Sequence, residues 1–131
     1  MLHERNMRIV VNGKTMDPGR YDWDKVDIRN IPIIQDPGPE NPLGQLKFLF
    51  PNKHAVYMHD TPTKKLFNDT TRAFSNGCIR VRNPRRLAEI IFAADRNWGG
   101  DDISELLTSK AQPNNRIDLG KPIPVHNVYF T

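Results

Sequence analysis

Tyr57-Met58-His59-Asp60-Thr61-Pro62, then a polar connection, then Ala73-Phe74-Ser75-Asn76-Gly77-Cys78-Ile79-Arg80-Val81: these two pieces hold the only cysteine of the chain and a histidine nineteen positions before it. That separation is too long for one helix face and long enough for a strand, a loop and a return. Period-two alternation puts Ala55, Tyr57 and His59 on one face of the first strand and Val56 and Met58 on the other. Cys78 follows Ser-Asn-Gly, a turn that lifts a side chain off a strand end. Gly77 leaves out the β-carbon where a substrate backbone would approach. A lone cysteine is more often a small buried hydrophobe, and a lone histidine a surface or core group. The turn, the glycine and the fixed cation of Arg80 two residues on favour a reactive thiol instead. Free cysteine is only slightly ionised at neutral pH, so the thiol needs a base. The spacing predicts that His59 and Cys78 meet in space as that pair.

Outward from this stretch, the N-terminal part reads as β-structure. Met7 to Val11 followed by Asn12-Gly13 predicts a strand and a tight turn. Met16 to Trp23 reads as a loop or helical turn, and Ile28 to Ile34 as an edge strand interrupted by Pro32. Gln35 to Pro42, rich in Pro and Gly, reads as a stiff loop inside one domain. Leu46 to Phe50 is the next strand, stopping at Pro51-Asn52. Thr61 to Thr71 is a surface flap anchored by Phe67. On the C-terminal side, Asn83-Pro84 opens the clearest helix, with Asn83 as N-cap and Pro84 in the first turn. Leu87, Ala88, Ile90, Ile91 and Ala94 form its apolar stripe, which reads as core. It should end near Asn97, with Trp98 tucked under Gly99-Gly100. Asp101 or Asp102 then caps a shorter helix, Gln112 to Asn115 is a turn, Arg116 to Leu119 is extended, and Val125 to Phe130 is a final strand.

At 131 residues the chain is one domain with room for a single core. A net charge of +4 suits an anionic polymer, either nucleic acid or bacterial wall, and charge alone does not choose between them. Lys and Arg are interleaved with acids and no aromatic-rich basic face is visible, which argues against nucleic acid. One cysteine excludes an internal disulfide. No apolar run approaches the length of a membrane span, and Met1 to Arg8 does not resemble a signal peptide. His3, His54, His59 and His126 show no metal-ligand spacing with Cys78, so neither metal nor cofactor is expected.

His59-Asp60-Thr61-Pro62, Leu66-Phe67, Arg72-Ala73-Phe74-Ser75 and Gly77-Cys78-Ile79-Arg80-Val81, in that order, resemble the catalytic core of the L,D-transpeptidases, the YkuD-type domain. They look most like its large periplasmic branch. The lead-in Asn41-Pro42-Leu43-Gly44, Lys47-Phe48 and Phe50-Pro51-Asn52 and the tail Lys121 to His126 are similar to the same branch. The resemblance implies a mostly β fold with flanking helices (α+β), a β-sandwich catalytic domain over residues 1–131. Related domains begin with extra strands and continue past Thr131, so it also implies a chain partial at both ends, with exposed sheet edges.

What the resemblance implies for chemistry is an acyl-enzyme on Cys78. His59 is the base, held in one tautomer by the backbone carbonyl of Asp60 and not by its carboxylate. Backbone N–H groups of Gly77, Cys78 and Asn76 receive the oxyanion. The substrate is a tetrapeptide stem of peptidoglycan, passed to a diaminopimelate amine or to water, and carbapenem-type β-lactams are covalent inhibitors. Arg80, Tyr57 and Ser75 are the substrate-binding candidates, although Arg80 could equally tie its loop to carbonyls, Tyr57 could be a core aromatic, and Asp60 could be a turn residue. Arg72 reads as structural or rim. Many relatives carry histidine at the position of Asn76, so the enzyme reading stands on His59. The expected location is the periplasm or cell envelope. Two other classes stay open: a catalytically weak or inactive peptidoglycan-binding module, and a thiol hydrolase for another amide.

Overall fold

The computed structural model describes residues 7–20, 22–25, 27–108 and 115–128. Strand β1 (Met7–Val11) turns at Asn12-Gly13 into β2 (Lys14–Met16). Both turn residues have positive φ, 50° and 75°, the backbone of a two-residue hairpin whose twist matches its strands. The register pairs Ile9 with Met16 and Val11 with Lys14. On the other side of β1 lies β3 (Ile33–Gln35), also antiparallel, which gives the order β2-β1-β3. The central strand carries Ile9, fully buried, and a side chain of that size contributes about 1.5–3 kcal/mol on burial. Arg8 reaches across to Asp36 at 3.0 Å.

The expected strand from Ile28 to Ile34 is shorter than its apolar content suggested. The Asp27 carboxylate accepts the Arg29 N–H and curls Ile28–Asn30 into a 3₁₀ turn. The strand starts only after Pro32, whose carbonyl accepts the Val10 N–H, and it does run along an edge. Asp17 and Trp23 likewise close a 3₁₀ turn at Pro18–Arg20. The loop from Gln35 to Gly44 is tied down by Asn41, which donates to the carbonyls of Gln35 and Asp36 and accepts from the Leu43 N–H.

A second sheet has the order β4-β5-β6, made of Lys47–Phe48, Met58–His59 and Ile79–Arg80. β4 pairs antiparallel with β5, and β5 pairs parallel with β6. The strands are shorter than the sequence pattern predicts. Ala55 adopts a left-handed backbone with φ 52°, and Asn52 builds the loop before it, accepting the N–H of His54 and Val56 and donating to the carbonyls of Phe50 and Val56. An asparagine that bonds its local backbone competes with a ladder, so pairing begins only at Met58. His54 sits in a turn within that loop.

Helix α1 (Pro84–Arg96) matches the expected span. Asn83 occupies the N-cap position, but its side chain makes no cap bond; its carbonyl accepts the Leu87 N–H. At the other end Asn97 is left-handed, and the N–H groups of Asn97 and Trp98 return to Ala93 and Phe92, closing the orphan carbonyls. The Arg96 guanidinium lies 5.1 Å from both the Phe92 and Trp98 ring centres and donates to the Asp118 carbonyl. α2 (Gly100–Thr108) begins just ahead of the predicted cap: Asp102 reaches back to the Gly99 N–H, the reciprocal half of a capping box. Ile103 of α2 and Ala88 of α1 are buried, and Arg85 of α1 crosses to Ser104 of α2. Residues 125–128 are exposed, and among the described residues they form no strand. Most of the expected 112–115 turn and the end of the final strand lie outside the described residues. Two sheets and two helices make a mixed α+β architecture, as expected.

Candidate active site

β5 and β6 bring the two halves of the key stretch side by side. Their parallel register pairs Met58 with Ile79 and His59 with Arg80, locked by Ile79 N–H to the Tyr57 carbonyl at 3.0 Å and Val81 N–H to the His59 carbonyl at 2.8 Å. One residue back along the same register, Tyr57 stands beside Cys78. Since paired positions point to the same side and alternate along the strand, Tyr57, His59, Cys78 and Arg80 share one face.

Side-chain contacts agree with that backbone placement. The Tyr57 and His59 rings meet edge to face at 5.8 Å. Burial pushes the Tyr57 phenol above its ordinary value, and the Cys78 thiol beside it adds to the rise. A phenol held protonated next to a sulfur is a hydrogen-bond donor for a thiolate. Among the described residues no hydrogen bond joins His59 and Cys78 directly; the tyrosine lies against both.

His59 is 5 % exposed, and its Nδ1 sits 2.5 Å from the Asp60 carbonyl oxygen. A carbonyl only accepts, so Nδ1 carries the proton and Nε2 is left with a free lone pair. That is the tautomer a general base requires. The Asp60 carboxylate does a different job. It accepts the N–H of Thr61 at 2.7 Å and of Gln45 at 3.0 Å, and it holds the Lys64 ammonium at 2.6 Å. Burial alone would raise this carboxyl; the Lys64 ammonium and the two N–H donors outweigh it and hold Asp60 below its usual value.

The turn before Cys78 is built by Ser75. Its hydroxyl donates to the Cys78 carbonyl at 2.6 Å and accepts the Gly77 N–H at 3.3 Å. Gly77 has φ 139°, a backbone that strains any side chain, and a β-carbon there would also crowd Val56 Cγ2 at 3.3 Å. Of the three N–H groups expected at an oxyanion, that of Gly77 is engaged within the turn. Those of Asn76 and Cys78 have no acceptor among the described residues.

Arg80 is half-buried, and its side chain makes no hydrogen bond or ion pair among the described residues. Arg72, by contrast, donates to the Asp69 carbonyl. Two open hollows, of about 370 and 420 Å³, lie beyond the end of β6. Lys64, Arg82 and Asn83 line both, and neither is lined by Cys78 or His59. Sequence reasoning overlooked Gly44, Gln45 and Lys64 as parts of the site. Lys64 was visible only as a cation four residues after Asp60, a spacing that also fits an ordinary surface pair.

Residues 3–105 match the family model YkuD, the L,D-transpeptidase catalytic domain. The chain belongs to the L,D-transpeptidase catalytic domain family. A protein of Haemophilus influenzae named "Putative L,D-transpeptidase" is 32% identical over 128 residues, covering 97% of this chain and 26% of that protein. The L,D-transpeptidase-like chain thus spans about a quarter of its relative's length. The family match takes in Cys78, His59, the Asp60 contacts and Arg80.

Proposed function

We propose that this domain is a cysteine-dependent acyltransferase of peptidoglycan, an L,D-transpeptidase acting at the cell envelope or in the periplasm. The observation that carries the reading is the seam between β5 and β6, which sets Cys78 on the same face as a histidine whose Nδ1 is taken by the Asp60 carbonyl. His59 Nε2 takes the thiol proton, and the Tyr57 phenol steadies the thiolate. Sulfur attacks the carbonyl of the L,D bond before the terminal D-alanine of a tetrapeptide stem. The oxyanion is received by the unengaged N–H of Cys78, with that of Asn76 as second donor; preorganised donors of this kind each contribute a few kcal/mol of barrier lowering. His59 returns the proton to the leaving D-alanine amine. A diaminopimelate amine then attacks the thioester, giving a cross-link, or water does, giving a shortened stem. Arg80, with a free guanidinium on the same face, is placed to grip a stem carboxylate bidentately.

A binding module that holds stems without turning them over is the second reading, favoured by the lack of a direct His59–Cys78 hydrogen bond. Mass spectrometry after exposure to a carbapenem separates the two. The acyltransferase gains one covalent adduct that Cys78→Ala lacks; a binding module gains none. Muropeptide products then distinguish dimers from loss of D-alanine.

A further inference from the structure

The Asp60 side chain lies where the three strands of the second sheet end. Its Oδ2 accepts from Gln45, in the segment that leads into β4. Its Oδ1 accepts from Thr61 and from Lys64. The Lys64 ammonium also donates to the Arg82 carbonyl at 3.1 Å and approaches that of Val81 at 3.5 Å, directly beyond β6. One carboxylate and one ammonium thus fasten the lead-in to β4, the end of β5 and the end of β6. Gly44 completes the fit: its φ is 61°, and a β-carbon there would fall 2.2 Å from Asp60 Oδ2, far inside contact distance.

We infer that the Asp60 carboxylate and Lys64 form a latch that positions the base, fixing the peptide plane whose carbonyl holds His59 Nδ1 and keeping the strand of Cys78 alongside. The peptide carrying that carbonyl runs from Asp60 to Thr61. Its oxygen receives His59, and its N–H is gripped by the Asp60 carboxylate itself. With both ends of that peptide engaged, it cannot rotate without breaking the latch. The same ammonium ties it to the carbonyls after β6. Asp60 and Lys64 are positioning residues: neither is placed to touch a reacting atom.

The catalytic meaning of the latch rests on the acyl-transfer reading; its effect on the imidazole does not. The test therefore uses two measurements on the full chain. Ring ¹⁵N shifts of His59 report the tautomer, and carbapenem acylation of Cys78 reports the rate, with circular dichroism giving the folded fraction. In the parent, Nδ1 is protonated. Asp60→Ala and Lys64→Met mix the tautomers and slow acylation by about 10- to 100-fold, the usual cost of losing a group that orients a reacting one, while Lys64→Arg restores the parent tautomer. Lys64 is 46 % exposed, so its removal decides the matter should Asp60→Ala fail to fold. Unchanged tautomer and rate in Lys64→Met overturn the inference, and so does a rate that falls only in step with the folded fraction. A parent that forms no adduct sinks the acyl-transfer reading, while the tautomer shift still judges the latch.

Discussion

The two sheets hold themselves together by different means. In β2-β1-β3 a hairpin and a neighbouring strand share a regular ladder around the fully buried Ile9. In β4-β5-β6 each strand is two residues long, and side chains take over the work of the ladder: Asn52 before β5, Asp60 and Lys64 after it, Ser75 before β6. The first sheet is specified by pattern and the second by individual hydrogen bonds. A short, side-chain-built sheet suits a site, because the exposed ends of its strands are where reacting groups can project.

If this division holds, changes in the second sheet alter reactivity more than stability, and changes in the first do the reverse. The largest effect is expected at His59. His59→Ala lowers the rate of Cys78 acylation per folded molecule by about 10²- to 10⁴-fold, the range for loss of a general base; adduct kinetics corrected for folded fraction give the number. Parent-like rates in Asn76→Ala would fit the same assignment, whereas the opposite pattern would move the base to another group.

Ile9→Ala comes next, with about 2–5 kcal/mol lost in urea unfolding and acylation per folded molecule left at the parent value. A loss of reactivity beyond the loss of folded protein would mean that the two sheets are energetically one unit. The smallest effect is at Arg80. Arg80→Ala removes one charged hydrogen-bonding partner for a carboxylate, about 1.5–3 kcal/mol, read as a KM for tetrapeptide stems raised about 10- to 100-fold with kcat nearly kept. A fall in kcat at constant KM would place Arg80 in the transition state instead of in stem binding.

Acid unfolding tests the latch from a different side. Asp60 is held below its ordinary value of 3.8, so its contribution is complete above that value and disappears only as pH falls through the lower one in the folded protein. Removing Lys64 lets the carboxyl titrate earlier and moves the acid midpoint of Lys64→Met to higher pH than that of the parent.

Reading residues alone finds β1 and its turn, because Asn12-Gly13 admits few alternatives, but not the return strand β2, whose short Lys14–Met16 run is mostly exposed; it finds α1 because Pro84 and Asn97 mark its ends. Its expectation that His59 and Cys78 touch as a pair is not met by a hydrogen bond among the described residues; the β5–β6 register sets the two on one face. It overestimated the strands around the site, since apolar runs such as Leu46–Phe50 and Ala55–His59 say nothing of the backbone bonds that Asn52 diverts. Residue types do not show that the Ser75 hydroxyl, a candidate substrate contact, also engages the Gly77 N–H inside the turn. The Asp60–Lys64 latch was hidden because its partners, Gln45, Val81 and Arg82, contribute only backbone atoms, which leave no residue signature.

The parallel seam has a further consequence. Base and sulfur stand at opposite ends of a single crossover, so they stay tethered even when β5 and β6 separate. Flexible tethers of this order keep their ends at roughly millimolar effective concentration, and loops of about ten residues close in about 10–100 ns. Local unfolding at this seam therefore leaves base and sulfur within reach of each other, at a modest loop-closure cost.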